Sequence, residues 1–441
     1  MSEIKDIPKH WEIKKLGEVC NVLDNLRKPI NSAERQQRIA GKGQDELFPY
    51  YGATGQVGWI DDFLTDGEFI LIGEDGAPFL DIYKDKAYKI KGKTWVNNHA
   101  HILKAKEQFL LDDYALYYLN SINYREFVNG TTRLKLTKSS LVEIPFVVPP
   151  LPEQQAIVAK IEELLSELEN GKQQLLSAQQ QLKVYRQSLL KWAFEGKLTN
   201  KNVKDGELPK GWRGVRLSDL GTWKGGGTPS KLVNKYWDNG TNLWVTSKDM
   251  KIGVIYDSIN KITDEAILNS STNRIPKGAI LFVMRSGILR HTFPVAIAGK
   301  DLTVNQDLQT LSPNGLATSE FIYWFIRAFN NEIRQKCSKD GTTVESIESS
   351  SLKNYPFILP SLEEQQLIVS ELESKLTVCD KIEETIAQSL QQAETLRQSI
   401  LKKAFEGKLV HHTLTTGVVP HEEDAAPKGR KKLTTGKAHR E

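Results

Sequence analysis

The sequence contains few cysteines. Cys20, Cys337 and Cys379 lie far apart in 441 residues. They form neither a Cys-X-X-Cys pair nor the ligand spacing of a zinc site. We therefore expect free, packed thiols in a reducing compartment, and we exclude a disulfide framework.

Long hydrophobic runs are also missing. The longest, such as 144–150 and 321–326, are far shorter than the ~20 residues that span a bilayer. The first residues lack the apolar core of a signal peptide. We expect a cytoplasmic protein with no membrane partner. Its net charge of +4 permits a nucleic-acid partner without requiring one.

Motifs for catalysis are absent from the chain. The pair Pro149-Pro150 is not preceded by Asp or Asn, so it is not the tetrapeptide of an adenine methyltransferase. No GxxxxGK[ST] phosphate loop is present. The sequence Gly-Gly-Gly at 225–227 is predicted to be a flexible loop. His99 and His101 could bind a metal, but without a nearby Cys or second pair a loop position is favoured. We predict no catalytic residue and no metal.

What the chain does contain is an internal repeat. Glu-Gln-Gln at 153–155 recurs at 364–366, and Ala-Phe-Glu-Gly-Lys-Leu at 193–198 recurs at 404–409. The offset is 211 at both ends (364 − 153 and 404 − 193). Pro-Lys-X-Trp, which begins at Pro8, recurs at Pro209. Such a repeat determines the architecture before any local motif is considered.

The two copies diverge between these anchors. The segment 50–55 (Tyr-Tyr-Gly-Ala-Thr-Gly) has no clear counterpart in 237–251. Two modules that recognise different targets would produce this contrast, and neutral drift of loops would also produce it. Short β-rich runs mixed with short helical patterns predict an α+β class for both globular units.

The stretch after each Glu-Gln-Gln carries a heptad pattern typical of a coiled coil. Pro152 and the pair Ser361 and Glu364 fit helix starts, and Gly196 and Gly407 fit helix ends. Each helix would be roughly 60 Å long. The predicted seam comprises Ile157, Ile161, Leu164, Leu168, Leu175, Leu182, Tyr185, Leu189, Ile368, Leu372, Ile382, Ile386, Leu396 and Ile400.

A helix with one apolar stripe needs a partner, and the other copy is the nearest one. Because domain termini usually lie close together, we predict two long antiparallel coiled-coil helices with pseudo-two-fold symmetry. The predicted parts are 1–148 and 199–359 as globular recognition domains, 149–198 and 360–410 as spacer helices, and 411–441 as a disordered basic tail.

Together, the anchors at 150–155, 193–198, 361–366 and 404–409, with the openings at 7–11 and 208–212, resemble the specificity subunit of type I restriction-modification systems. The resemblance covers residues 7 to about 410. It implies a non-catalytic DNA-binding subunit in which each globular domain reads half of a bipartite double-stranded DNA target. It also implies two methyltransferase subunits docked on the helices, and endonuclease-translocase subunits. S-adenosylmethionine, ATP and Mg would belong to those partners, and this chain would bind no cofactor.

DNA contacts need Lys, Arg and planar amides. Asn98 and Asn305 are predicted to occupy equivalent places. The candidates are Lys89, Lys91, Lys93, Asn97, Asn98, Arg133, Lys135 and Lys138 in the first domain, and Lys224, Lys231, Lys248, Arg285, Arg290, Asn305 and Gln306 in the second.

Two other classes of function stay open on the residues alone. A structural coiled-coil adaptor would bind proteins through its globular ends, and its association with DNA would be absent or insensitive to salt. A stand-alone DNA enzyme is disfavoured by the missing motifs.

Overall fold

The computed structural model describes residues 7–200, 202–204, 206–339 and 344–410, and the chain divides into two compact units. Of the described residues, unit 1 contains those up to 172 together with 391–410, and unit 2 contains those of Gln173–Leu390. Each unit therefore combines one globular part with segments of both long helices. The predicted basic tail, 411–441, lies outside the described residues.

Unit 1 is built on a mixed sheet and a two-stranded ribbon. Its elements are β1 Glu12–Lys15, α1 Leu16–Val19, β2 Cys20–Val22, α2 Ser32–Ile39, β3 Phe48–Gly52, β4 Gly55–Ile60, β5 Thr65–Gly73, β6 Ala87–Val96, β7 Ala100–Ala105, α3 Asp112–Ser121, α4 Lys138–Val142, β8 Pro145–Val148 and the start of α5 Leu151–Phe194. The six-stranded sheet has the order β2-β7-β5-β6-β3-β4, and β1 pairs with β8. Among the described strands of unit 1, β3 and β6 form the only parallel pair, and the other pairs are antiparallel.

The core of unit 1 forms where β5 is covered by α3. Ile70 and Ile72 are fully buried, since their branched side chains suit the pleated interior of a sheet. Tyr114 and Tyr118 of α3 lie in the same buried cluster. Both hydroxyls donate to backbone carbonyls, at 3.0 Å each, so the polar tip of each ring is satisfied inside the core.

Unit 2 repeats this plan with more and shorter strands. After the end of α5 come β9 Arg213–Arg216, β10 Gly221–Gly225, β11 Asn242–Val245, β12 Val254–Ile255, β13 Asn260–Ile262, α6 Asp264–Leu268, β14 Ile280–Val283, β15 Val295–Ala298, β16 Thr303–Val304, β17 Leu308–Pro313, α7 Ser319–Ala328, α8 Asn330–Lys336, α9 Ser349–Lys353, β18 Pro356–Leu359 and the start of α10 Leu362–Phe405. The sheets have the orders β10-β17-β14-β15-β12 and β13-β11-β16, and β18 pairs with β9.

The diverged centres of the two units share a strand arrangement. In unit 1, β3 pairs antiparallel with β4 and parallel with β6. In unit 2, β11 pairs antiparallel with β13 and parallel with β16. The expectation that 50–55 has no counterpart in 237–251 is therefore wrong: Tyr50 and Tyr51 of β3 match Trp244 and Val245 of β11. Sequence comparison missed the match because backbone pairing does not require similar side chains.

The repeated Glu-Gln-Gln attaches each globular part to its helix. Gln154 is fully buried and donates to the carbonyls of Phe109 and Pro149, both at 2.8 Å, while its oxygen accepts from Leu111 N at 3.0 Å. Gln365 is equally buried and makes the same three bonds. Its partners are the Leu316 and Pro360 carbonyls, at 3.0 Å each, and Thr318 N, at 2.9 Å.

The glutamate of each motif binds the tryptophan of the repeated Pro-Lys-X-Trp. Trp11 Nε1 donates to Glu153 at 2.7 Å, and Trp212 Nε1 donates to Glu364 at 2.8 Å. Ser361 accepts from Glu364 N at 3.3 Å, as predicted. The carboxylate of Glu364 does not complete the predicted capping box, because it is bonded to Trp212 and Asn200 instead.

Both long helices end two residues before the predicted glycines. Gly196 has a φ of +78° and Gly407 a φ of +71°, in the left-handed region that favours glycine at a helix end. A Cβ at Gly196 would meet the Pro209 ring at 2.2 Å, and one at Gly407 would meet the Pro8 ring at 2.4 Å. Glycine is thus required at each of the two positions for two reasons, the backbone conformation and the close approach of the Pro-Lys-X-Trp segment.

The predicted helix seam is buried only in part. Eight positions are buried, and Leu164, Leu168 and Leu175 are half-buried. Tyr185, Ile382 and Leu396 are exposed at 43%, 44% and 51%, contrary to the heptad assignment. Each of them lies between two buried positions that are seven residues apart, 182 and 189, 379 and 386, or 393 and 400. Only one of the two apolar positions of these heptads therefore faces the interior. The buried positions are Ile157, Ile161, Leu182, Leu189, Ile368, Leu372, Ile386 and Ile400.

The three cysteines are free and buried, as expected. Burial raises the pKa of the Cys20 thiol to about 12 and that of Cys337 to about 11, so neither is a reactive thiolate at neutral pH. Within the described ranges, no helix combines the length and the hydrophobicity needed to cross a bilayer.

Candidate nucleic-acid interface

Three chain segments meet in each unit where the parallel strand pair ends. We call this arrangement the strand-end frame. In unit 1 it comprises 74–76, 97–99 and 134–136. In unit 2 it comprises 284–286, 305–307 and 345–347.

The two frames make the same backbone hydrogen bonds. In both units, the backbone N–H of the residue that follows the second parallel strand donates to a carbonyl of the first. The bond runs from Asn97 to Tyr51 at 3.1 Å and from Asn305 to Val245 at 3.0 Å. Three further backbone N–H to carbonyl bonds are matched. In unit 1 they run from Glu74 to His99 (2.7 Å), from Gly76 to Leu134 (3.3 Å) and from Leu136 to Glu74 (2.7 Å). In unit 2 the corresponding bonds run from Met284 to Asp307 (2.8 Å), from Ser286 to Glu345 (3.1 Å) and from Ile347 to Met284 (2.8 Å).

These bonds correct one predicted equivalence. Asn97, rather than Asn98, corresponds to Asn305, so Asn98 corresponds to Gln306. Both Asn97 and Asn305 are buried, whereas Asn98 and Gln306 are exposed. The offset between the copies is 208 at this position (305 − 97), 210 at Glu74 and Met284, and 211 along the helices. Because the offset varies within the units, residue spacing alone does not define the equivalence.

In unit 1, Asp75 organises the exposed side of the frame. Its carboxylate binds His99 Nδ1 at 2.8 Å and accepts from Arg133 at 2.7 Å. Arg133 remains 61% exposed. The guanidinium is therefore oriented by a carboxylate while its remaining donors face solvent.

Beneath Asp75 lies a partly buried network of charges. His101 is fully buried and binds Asp24 at 2.8 Å and the Leu136 carbonyl at 2.9 Å. Arg27 binds Asp24 and Glu74 and donates to the Asn98 carbonyl at 3.2 Å. Lys135 binds Glu74 at 3.0 Å.

This network changes the acidity of both carboxyl groups. Burial alone raises the pKa of Asp24, but the hydrogen bond from His101 and the nearby charges lower it overall. Burial also acts against Glu74, whose pKa is lowered overall by Lys135 and Arg27. Both groups are therefore held ionised, and their ion pairs fix the backbone at Asn98.

In unit 2, different side chains occupy the same backbone positions. Arg285 stands exposed where unit 1 has Asp75, and Met284 stands where unit 1 has Glu74. Asp307 accepts from Asn305 Nδ2 at 3.1 Å. Gln306 is exposed, and its Oε1 accepts from the Thr228 hydroxyl.

An arginine held by a carboxylate is present in unit 2 as well. Arg290 binds Glu345 at 2.7 Å and remains 63% exposed. The bond from Arg290 lowers the pKa of Glu345. Glu345 occupies the position of Leu134 in unit 1. The carboxylate that holds the arginine in unit 2 therefore comes from a different frame position from that of Asp75 in unit 1.

The structure gathers about half of the candidates predicted from sequence. In unit 1 the frame contains or contacts Asn97, Asn98, Arg133 and Lys135, and in unit 2 Arg285, Arg290, Asn305 and Gln306. Outside it, Lys89 pairs with Asp113, Lys91 with Glu68, and Lys93 lies over the Phe63 ring. The exposed residues Lys138, Lys224, Lys231 and Lys248 complete the set.

Sequence reasoning missed the acidic half of this site. Asp75, Glu345 and Asp307 were not considered, because a search for DNA contacts looks for cations and amides. His99 and His101 were noticed only as possible metal ligands. Among the described residues, no group of three His, Cys, Asp or Glu side chains is placed to hold a metal.

Comparisons with known proteins agree with this duplicated arrangement. The family model of the type I restriction modification DNA specificity domain matches twice, over residues 8–178 and 209–392. The type I restriction enzyme EcoR124I/EcoR124II specificity subunit of Escherichia coli is 30% identical over 326 residues, covering 73% of this chain and 72% of that protein.

Two solved structures share the fold. The crystal structure of the HsdS subunit from Thermoanaerobacter tengcongensis has a TM-score of 0.58 at 19% identity, covering 91% of this chain and 98% of that one. A chain from a study of complex assembly and conformational transition of the type I R-M system has a TM-score of 0.63 at 18% identity, covering 91% and 99%.

The two matched segments include most of both units, and each contains one strand-end frame. The chain belongs to the family of type I restriction-modification specificity subunits, which are non-catalytic components of those systems.

Proposed function

We propose that this chain binds double-stranded DNA and that each unit reads one half of a bipartite target. The observation that carries the proposal is the pair of strand-end frames, which share a backbone and differ in exposed polar side chains. A common fold with different side chains is what two modules need to read unlike half-sites. The cations and amides of the frames are the groups that contact phosphates and base edges.

The long helices would hold the two units at a set spacing as an antiparallel coiled coil. In unit 2, Leu189 of α5 shares a buried cluster with Ile368 and Leu372 of α10. Arg186 of α5 binds Asp380 and Glu383 of α10, at 2.5 and 3.1 Å. In unit 1, Lys172 of α5 binds Glu394 of α10 at 2.5 Å. These contacts support pairing of opposite ends of the two helices.

Docking of two methyltransferase subunits on the helices follows from the same proposal. In unit 2, both helices carry exposed apolar side chains that a partner would cover. They are Leu176, Val184, Tyr185 and Trp192 on α5, and Leu367, Val378 and Ile382 on α10. Endonuclease-translocase subunits would complete a cytoplasmic complex. S-adenosylmethionine, ATP and Mg would be bound by these partners.

Sequencing of modified bases tests the proposal most directly. The full chain is expressed with its methyltransferase subunit in cells without other methylation, and genomic DNA is sequenced for methylated positions. A bipartite sequence with an unspecified spacer is the expected result. Methylation of one continuous sequence, or none, would contradict it.

Exchange of residues 213–345 for the corresponding segment of another specificity subunit tests the independence of the units. One half of the target should change, and the other half should stay as in the unmodified complex. The unmodified half serves as the internal control. A change in both halves would show that the units do not read DNA independently.

Salt dependence separates this function from that of a protein-binding adaptor. A complex that contacts six to ten phosphates should lose ~10³ or more in DNA affinity between 50 and 200 mM salt. The measurement is a titration of labelled target DNA with the assembled complex, with unrelated DNA as control. Absent or salt-insensitive binding would favour the adaptor.

A further inference from the structure

The two frames present the same pair of side-chain types although most of their residues differ. Each exposes one amide at the equivalent position, Asn98 or Gln306. Each also exposes one arginine held by a carboxylate, Arg133 by Asp75 or Arg290 by Glu345. We infer that these four residues are the base-reading residues, with the amides binding adenine and the arginines binding guanine.

The inference rests on the proposed function and adds to it the residues and the bases. Asparagine and glutamine form bidentate hydrogen bonds with the N6 and N7 edge of adenine, and arginine with the O6 and N7 edge of guanine. Other solvent-exposed cations of the chain can contact phosphates, but such contacts carry no sequence information.

The amide position has a fixed backbone and an exposed side chain in both units. In unit 2, Gln306 Oε1 accepts from the Thr228 hydroxyl, a bond that contact with a base would replace. In unit 1, the Asn98 carbonyl accepts from Arg27, and the adjacent His99 carbonyl accepts from Glu74 N. In unit 2, the Asp307 carbonyl next to Gln306 accepts from Met284 N. A residue whose main chain is held on both sides loses little conformational freedom when its side chain meets a base.

Each of the two arginines is held by a carboxylate, but the carboxylate comes from a different frame position in each unit. Asp75 binds both Arg133 and His99, so it joins Arg133 to the residue after Asn98. Glu345 bonds through its carbonyl to Ser286 N, within the frame, and through its carboxylate to Arg290. A planar guanidinium whose Nε or one terminal nitrogen is held by a carboxylate keeps further donors for a second planar group.

Two buried side-chain oxygens of the unit 2 frame, Asn305 Oδ1 and Glu345 Oε2, have no hydrogen-bond partner among the described residues, and the first of them points to a partner at this site. Asn305 is 6% exposed. In unit 1 the equivalent Asn97 Oδ1 accepts from His99 N at 2.8 Å. The frame of unit 2 thus retains an unused acceptor beside Gln306, which is costly unless a donor approaches.

The test uses the full chain in complex with its methyltransferase subunits. The wild-type target is first found by sequencing methylated DNA, and each half-site should contain at least one A·T and one G·C pair. Gln306→Ala and Arg290→Gln are then compared with wild type, as are Asn98→Ala and Arg133→Gln. Each should lower the preference for one base pair, in the half-site of its own unit, roughly ten- to hundredfold.

Matched controls are surface arginines outside the frame. Arg216→Gln in unit 2 and Arg125→Gln in unit 1 should leave all base preferences unchanged. Arg290→Lys should retain a weaker preference for guanine. The half-site of the unmutated unit reports in every sample whether the complex has assembled, and the variants of unit 2 test the inference even if one variant of unit 1 does not fold.

The outcomes separate the two proposals. If wild-type complex recognises no bipartite sequence, the proposed function fails. If it does, but the four frame variants keep every base preference, or a half-site has no A·T or no G·C pair, only the inference on base reading is overturned. A uniform loss of affinity without altered preference would make these residues phosphate contacts, which also overturns it.

Discussion

Units 1 and 2 have the same strand-end backbone but stabilise it in different ways. Unit 1 places His101, Asp24, Arg27 and Glu74 beneath its frame. Unit 2 has Met284 where unit 1 has Glu74, and it relies on side chains nearer the surface, such as Asp307 and Thr228. The comparison shows that main-chain hydrogen bonds preserve a site geometry while the side chains on it change freely.

The sheets of the two units also differ at their loops and edges. The ten-residue strand β6 of unit 1 corresponds to β15 and β16 of unit 2, which are separated by 299–302. Strand β12 is added in parallel to β15, with Val254 opposite Ile297. Loops and edges thus tolerate insertion, whereas the helix starts and helix ends do not.

The largest expected effect comes from the phenylalanine that ends each long helix. Phe405 contacts Tyr114 and Tyr118 in unit 1, with ring centroids at 5.3 and 5.1 Å. Phe194 contacts Phe321 and Phe325 in unit 2, at 5.2 and 5.3 Å. Replacement of either ring by alanine should cost about 3–5 kcal/mol in free energy of unfolding.

Hydrogen exchange resolved along the chain measures this cost unit by unit. Phe405→Ala should lower protection in unit 1, and Phe194→Ala in unit 2. Leu396→Ala, at an exposed position of α10, is the control and should have almost no effect. Equal loss in both units from one substitution would show that they unfold together.

A smaller effect is expected at the buried glutamines. Gln154→Ala and Gln365→Ala each remove three matched hydrogen bonds and leave backbone groups unpaired, which costs about 1–3 kcal/mol. The adjacent Gln155→Ala and Gln366→Ala change exposed side chains and should stay within about 0.5 kcal/mol of wild type. Urea unfolding of the four variants gives the numbers. Unequal costs at 154 and 365 would contradict the equivalence of the two attachments.

The smallest effect is a difference in acid sensitivity. The pKa values of Asp24 and Glu74 are lowered in the folded chain. A lowered folded pKa gives stability that is complete above the unfolded pKa, near 4, and is lost as the pH falls through the folded pKa. The pKa of Glu345 in the frame of unit 2 is also lowered, but Glu345 is more exposed than Asp24 and Glu74, so solvent screens its ion pair more strongly. Unit 1 should therefore lose protection below about pH 4 more steeply than unit 2.

Incubation at pH 7 to pH 3 followed by a hydrogen-exchange pulse at one fixed pH measures the difference. The double variant Asp24→Asn, Glu74→Gln should be less stable at pH 7 and should respond less to acid. Glu68→Gln, in the exposed pair with Lys91, is the control and should retain the wild-type response. Identical acid profiles of the two wild-type units would remove the distinction drawn between their frames.

Much of the fold could be predicted from the sequence. The 211-residue offset located both helices, and Gly196 and Gly407 marked their ends because few other residues adopt a positive φ. The seam was predicted less well: Tyr185, Ile382 and Leu396 are exposed, since periodicity alone does not say where the partner surface lies. The frame was not predicted, because Asp75 and Glu345 have no motif.

The repeat, the two long helices, the family and the absence of known catalytic motifs follow from the amino-acid sequence, since they depend on residue type and spacing along the chain. The match of Asn97 with Asn305, and the arginine held by a carboxylate in each unit, become visible only in the folded chain. Those relations depend on hydrogen bonds between segments far apart in sequence, and a main-chain bond leaves no trace in the identity of the residues that make it.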